Sequence, residues 1–265
     1  MSDEPSNKDE KEQEEALAEG TLLSHLIELR THLIRISIAV IGLFVILLPF
    51  SQKIFVVVSQ PLVDVLPGQK MIATAVASPL LTPFKLTFFV ALFAAMPVVL
   101  YQVWAFVAPG LYKKEKRFAF PLLGSSIVLF YAGIAFAYFV VFELVFGFFA
   151  SVTPQSVEMM TDIAAYLDFI TKIFLAFGLA FEVPVATVLI VWTGLTTPEK
   201  LGKARPYVFL SAFIVGMFLT PPDVISQTLL AVPVYLLYEL GIIMSRIFAR
   251  DRRRDAAEAA TEEAN

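Results

Sequence analysis

The chain has 265 residues, 58% of them hydrophobic and 17% charged, with 25 phenylalanines and no cysteine. Lacking cysteine, it can form no disulfide, iron–sulfur cluster, thiolate metal site or cysteine nucleophile, and His25 and His32 alone are too few ligands for a histidine zinc site. The net charge of −4 hides a division: residues 1–20 carry eight acids against two lysines, residues 255–265 carry four acids and no base, and the body between is basic at net +6.

Residues 1–20 read as an acidic, disordered cytoplasmic tail, because a charged segment without aromatic residues cannot bury enough surface to fold. This opening is unlike a cleavable signal peptide, so the first apolar span is expected to act as the insertion signal and stay in place. Residues 21–248 hold six apolar runs, at 33–50, 86–107, 118–149, 169–193, 207–219 and 225–248. A helix crossing a hydrocarbon core of roughly 30 Å needs about 20 apolar residues, and four runs reach or nearly reach that length. Residues 118–149 carry one charged side chain, Glu143, in 32 positions. Residues 249–265 read as a second charged cytoplasmic tail. The expected fold is all-α: a polytopic membrane protein with six transmembrane helices. Pro97, Pro121, Pro184 and Pro233 lie inside runs and predict bent helices.

Basic residues alternate between the connections. Four lie in "YKKEKR" (112–117), three in "TPEKLGKAR" (197–205) and five in "RIFARDRRR" (246–254), whereas 150–167 and 220–224 hold none. The positive-inside rule then places both termini and the two basic loops in the cytoplasm. The fifth run is short, about 20 Å at 1.5 Å per residue, so it either re-enters or spans a locally thinned bilayer. The charge alternation favours spanning. Residues 52–85, with Pro61, Pro67, Pro79 and Pro83, form an external connection in which "IFVVVSQPLV" predicts a short helix capping the outer face. Nucleic-acid binding is not expected, because the bases flank spans instead of covering a folded polar face.

Charged residues at membrane depth are costly and point to function. Glu182 lies mid-run, two residues before Pro184, and two readings stay open: a hydrated concavity, or a neutral glutamate bonded to a neighbouring helix. Glu239 and Glu143 are weaker signals. Asp168 and Lys172, four apart with the acid first, read as a local salt bridge. Before the first span, Leu22, Leu26, Leu29 and Leu33 form one apolar stripe and Glu28 falls off it. The plain reading pairs Glu28 with His32 one turn on, and Glu115 with its basic neighbours.

Several stretches resemble the TatC family, the multispanning receptor of the twin-arginine protein translocase. They are "HLIELR" (25–30), "SPLLTPFKLTFF" (78–89), "LYQVWAFVAPGLYKKEKR" (100–117), "FAYFVVF" (136–142), "FEVP" (181–184), "RPYV" (205–208) and "TPPDVISQTLLAVP" (220–233). The match covers roughly residues 21–248. The resemblance implies a cupped six-helix bundle in a bacterial inner membrane, its concave side facing other copies of itself. It implies a non-enzymatic receptor, without cofactors, for twin-arginine signal peptides on folded cargo. Single-span TatA- and TatB-type subunits would be its partners, and the proton-motive force would drive export. The family's signal-recognition glutamates fall on Glu28 and Glu115, with Arg30, Phe106 and Lys113 nearby. Its concave polar position falls on Glu182, and its outer-loop positions on Pro61 and Asp223. Glu143, where the family usually has proline, and Lys172 carry no family role. The alternative is a secondary transporter of a small solute or ion using Glu182, Glu239 and Lys172, although the internal repeats common in transporters are missing.

Overall fold

The computed structural model describes residues 7–65, 71–107, 116–154, 160–220 and 224–263, with side-chain surroundings for 26–63, 71–106, 121–154, 160–220 and 224–250. Helices make up the described chain: α1 (Asn7–Leu47), α2 (Ser51–Val65), α3 (Ser78–Ala94), α4 (Met96–Val107), α5 (Lys116–Phe136), α6 (Phe142–Val152), α7 (Ile163–Ala180), α8 (Val183–Trp192), α9 (Pro198–Lys203), α10 (Arg205–Leu219) and α11 (Val224–Glu263). Among the described residues extended pairing is limited to a single bridge between Ile72 and Asp162.

Six apolar units emerge among the described residues. Three continuous stretches, Pro121–Val152, Ile163–Trp192 and Val224–Arg250, are long enough to cross a bilayer. A fourth, Leu26–Val63, joins the apolar part of α1 to α2 through a turn at Leu48–Phe50, where Pro49 takes a position that needs no helical N–H. The fifth unit is the pair α3 and α4, bent by 50° at Ala95. The sixth is α10, whose 15 residues rise about 22 Å.

The prolines divide into two groups. Pro97 follows the 50° bend, and Pro184 follows the break at Phe181 and Glu182. Pro121 and Pro233 instead lie within α5 and α11 and interrupt neither. Another irregularity carries no proline: residues Ala137–Val141 form one π-helical turn between α5 and α6.

The core is aromatic. Phe130, Phe142, Phe177, Ile170 and Ile173 are fully buried. Phe142 meets Phe174 with ring centroids 5.0 Å apart, and Phe93 meets both Phe130 and Phe174. Lipid tails are as apolar as these rings, so burial alone gives little drive between spans, and close packing must supply it. Glycine permits that closeness where α5 crosses α7. A Cβ on Gly178 would sit 2.6 Å from Phe130 Cε2, and one on Gly133 would sit 2.5 Å from the Phe177 carbonyl oxygen. At Gly241 of α11, a Cβ would strike Thr187 Oγ1 and approach Pro184 Cα to 3.0 Å.

The packing order is an open row: α1 against α3 and α4, then α5 and α7, then α8 and α11, with α10 on α11. The two ends of the row, α1 and α10, keep wide apolar faces exposed, for example at Ile38, Val45, Tyr207 and Phe218.

Candidate functional site

Glu28 and Arg30 lie on exposed positions of α1. His32, one turn beyond Glu28, does not pair with it. Its Nδ1 lies 2.6 Å from the Gln102 side-chain oxygen, which makes the ring nitrogen the donor. The imidazole also meets Phe106 edge-on, with centroids 6.0 Å apart. These two contacts fix α1 against α4, and Glu28 forms no ion pair among the described residues. The expected Glu28–His32 pair is therefore replaced by a contact between helices. Glu115 and Lys113 lie outside the described residues, in the segment between α4 and α5, and Asp223 lies outside them between α10 and α11.

Glu182 is half-buried at the junction of α7 and α8. Ser126 of α5 donates its hydroxyl to Glu182 Oε2 at 2.5 Å, while Oε1 is buried without a hydrogen-bond partner. The junction continues through Glu182 N–H to the Leu179 carbonyl and Ala186 N–H to the Glu182 carbonyl. Both open readings keep support, since a neighbouring helix does supply a bond and one oxygen remains unmatched. Sequence reasoning missed Ser126, whose hydroxyl gave no pattern of its own.

Pro61 lies inside α2, where its ring removes the N–H that would bond the carbonyl of Val57. Tyr138, in the π-helical turn, donates its hydroxyl to that carbonyl at 3.0 Å, and Tyr166 of α7 donates to the adjacent Val58 carbonyl at 3.1 Å. The same device recurs at Pro97: its missing N–H would have bonded Phe93, and the Tyr131 hydroxyl reaches the Phe93 carbonyl at 3.1 Å. Tyrosines on neighbouring helices thus satisfy acceptors freed by proline.

At the end of the bundle that carries α2, Asp162 closes a clasp. Its Oδ1 accepts from the Ala164 and Ala165 amides, as an N-cap does, and its Oδ2 accepts from the Thr74 amide and hydroxyl. Ile72 adds backbone bonds to Thr161 and Ile163. These hydrogen bonds hold the Asp162 carboxyl at about 2, the Thr74 hydroxyl having the largest effect. An aspartate directly before an apolar helical run was the available sequence signal.

One charge pairing changes and another is added. Asp168 pairs with Lys85 of α3 and not with Lys172, so that salt bridge joins two helices. Glu239 is held by a fork from Arg205, Nε to Oε1 at 2.6 Å and Nη2 to Oε2 at 2.8 Å, and also accepts from the Tyr235 hydroxyl at 2.9 Å. The planar guanidinium matches both carboxylate oxygens, which fastens the start of α10 to α11.

Apolar units of spanning length, proline breaks and a carboxylate half-buried at one of them define a polytopic α-helical membrane protein. The model of the family described as "Sec-independent protein translocase protein (TatC)" matches residues 24–233. A protein of that name from Azotobacter chroococcum mcd 1 is 59% identical over 235 residues, covering 88% of this chain and 91% of its own length. Its counterpart in Escherichia coli K12 is 57% identical, covering 88% and 92%. The solved structure described as "Crystal Structure of Twin Arginine Translocase Receptor- TatC" superposes with a TM-score of 0.77 at 36% identity, over 84% of this chain and 98% of that one. The chain belongs to the TatC family of Sec-independent protein translocase subunits.

Proposed function

We propose that this chain is the receptor of a twin-arginine translocase in a bacterial inner membrane, with Glu28 and Glu115 as the carboxylates that bind the arginine pair. The observation that carries this reading is the disposition of Glu28. It is exposed and without an ion pair, on a helix that His32 and Gln102 fix against α4, the helix leading into the segment with Lys113 and Glu115. Each arginine presents a planar guanidinium that bonds a carboxylate through two parallel hydrogen bonds, a geometry an ammonium cannot reproduce. Arg30 and Lys113 repel loosely placed cations and favour a motif that reaches both acids. Phe106, whose ring meets His32 edge-on, offers an aromatic surface near the end of α4.

Both termini and the basic loops face the cytoplasm in this reading, and α2 caps the opposite face. Pro61 and Asp223 belong to that outer side. Single-span TatA- and TatB-type subunits and further copies of the chain assemble around it, and the proton-motive force drives export. Glu182 is the polar position facing the bound signal peptide or a partner helix. The transporter alternative loses one of its coupling groups, since Glu239 is fully engaged by Arg205.

Binding of a synthetic twin-arginine signal peptide to the detergent-solubilised protein tests the assignment. The twin-arginine peptide should bind and its twin-lysine counterpart should bind far more weakly. Equal binding of the two would overturn the proposed role of the carboxylates.

A further inference from the structure

Two charged residues inside spans have no use in the function above. Glu143 lies in the first turn of α6 and Lys172 in α7. Both are exposed, and neither forms an ion pair among the described residues. Their signs are opposite and their depths agree. Glu143 precedes the end of its span at Val152 by nine residues, and Lys172 follows the start of its span at Ile163 by nine. At about 1.5 Å per residue, both lie about 14 Å from the α2 end. The Phe142–Phe174 ring contact, 5.0 Å between centroids, places them at one level independently.

They do not meet each other within the chain. Phe142 and Phe146 take the edge of α6 that touches α7, against Phe174 and Phe169, and Glu143 is turned off that edge. Lys172 shares an exposed edge of α7 with Asp168 and Leu179, and the nearest acid on that edge, Asp168, is already bound to Lys85. A lysine at this depth can extend its long stem towards the polar surface, but a glutamate has only two methylenes and cannot. A lone carboxylate facing lipid is therefore the costly member, and an ammonium at its own level is the group that satisfies it.

We propose that Glu143 of one copy pairs with Lys172 of a second copy, forming an interface between neighbouring chains within the membrane. The occupant is a second copy because the chain itself supplies, at one level, both halves of a complementary pair that it cannot close internally. The proposal rests on the reading that several copies assemble in one translocase. It adds the contact that sets their register.

Charge reversal in the full chain tests it. Two differently tagged copies would be co-expressed, solubilised in mild detergent and purified through one tag. Glu143→Lys in both copies, or Lys172→Glu in both, sets like charges against each other and should lower recovery of the second copy by about tenfold, equivalent to about 1.4 kcal/mol. The double reversal, Glu143→Lys with Lys172→Glu, should restore it. In the wild-type chain, a zero-length carbodiimide cross-link should join the Glu143 and Lys172 peptides between copies. Undiminished recovery in both single reversals, or failure of the double reversal to restore recovery, would overturn the interface. Twin-arginine peptide binding measured on the same preparations separates that result from a failure of the receptor reading.

Discussion

Tyr138 donates its hydroxyl to the carbonyl of Val57, the acceptor that Pro61 leaves without a helical partner. The proline and the tyrosine lie 77 residues apart in sequence yet complete one hydrogen bond between them. Tyr138→Phe should cost about 1 kcal/mol of thermal stability, the usual net value of such a bond. In the Pro61→Ala background the restored N–H serves the carbonyl, so the same tyrosine change should cost almost nothing. Thermal unfolding of the four detergent-solubilised proteins measures the difference, and strict additivity would contradict the pairing.

The clasp at Asp162 predicts an acid response of known sign. Its carboxyl is held at about 2 in the folded chain against 3.8 ordinarily, so its bonds to Thr74 stabilise the clasp above 3.8. That contribution is lost as the pH falls from 3.8 towards 2. The protection of the Ile72 and Thr74 amides, taken relative to the intrinsic exchange rate at each pH, should be high at neutral pH and fall across this window. Asp162→Asn, which cannot ionise, should flatten that fall.

Glu28→Lys should impair export of twin-arginine cargo more than Glu28→Ala, because reversal adds repulsion where truncation only removes a contact. The same order is expected at Glu115. Charge-assisted bonds contribute roughly 1.5–3 kcal/mol each, and exposure lowers that figure. Cargo export, measured with membrane levels of each variant held equal, gives the ranking. A smaller defect in the lysine variants than in the alanine variants would refute it.

At Glu182, the Gln variant should retain much activity, because an amide oxygen still accepts from Ser126. The Leu variant should lose more, leaving the Ser126 hydroxyl without its acceptor. Glu182→Cys, the only thiol in such a chain, should react with a membrane-impermeant reagent added from the cytoplasmic side and be shielded by signal peptide. An unreactive thiol alongside a labelled Glu28→Cys control would place the position in a dry interface.

Gly178→Ala is expected to lower stability by about 1–3 kcal/mol, the cost of overpacking. The added Cβ would meet Phe130, which is completely buried among other rings and cannot step aside. Gly124→Ala is the control, since nothing lies within 4 Å of its Cβ position. Equal melting temperatures for the two variants would show that α5 and α7 can separate without loss.

The apolar runs were legible because membrane helices announce themselves by length, and the bend at Pro97 and the break before Pro184 because proline removes a bond locally. The contacts between spans were not. Asp168 offered a partner four residues away at Lys172, yet chose Lys85 across 83 residues, and His32 likewise passed over Glu28 for Gln102. A helical wheel shows which side chains share a face but not which helix lies against that face. The Tyr131, Tyr138 and Tyr166 hydroxyls were invisible for the same reason, since their acceptors are backbone carbonyls. The Glu239–Arg205 fork unites a residue of the sixth run with one in the basic loop before the fifth, and only the packing of α10 on α11 brings them together.

The π-helical turn at Ala137–Val141 acts as a phase shifter. One surplus residue in a helix of 3.6 residues per turn rotates everything beyond it by about 100°. Phe142, Val145 and Phe146 follow the turn directly and reach the core at the bearing it sets. Deleting a single residue from the turn would yield a more regular helix and a worse protein, with the aromatic edge of α6 swung off α7 and Glu143 carried to a different bearing. The irregularity therefore works as a counter of chain length, and helix length between Pro121 and Val152 is constrained to the residue.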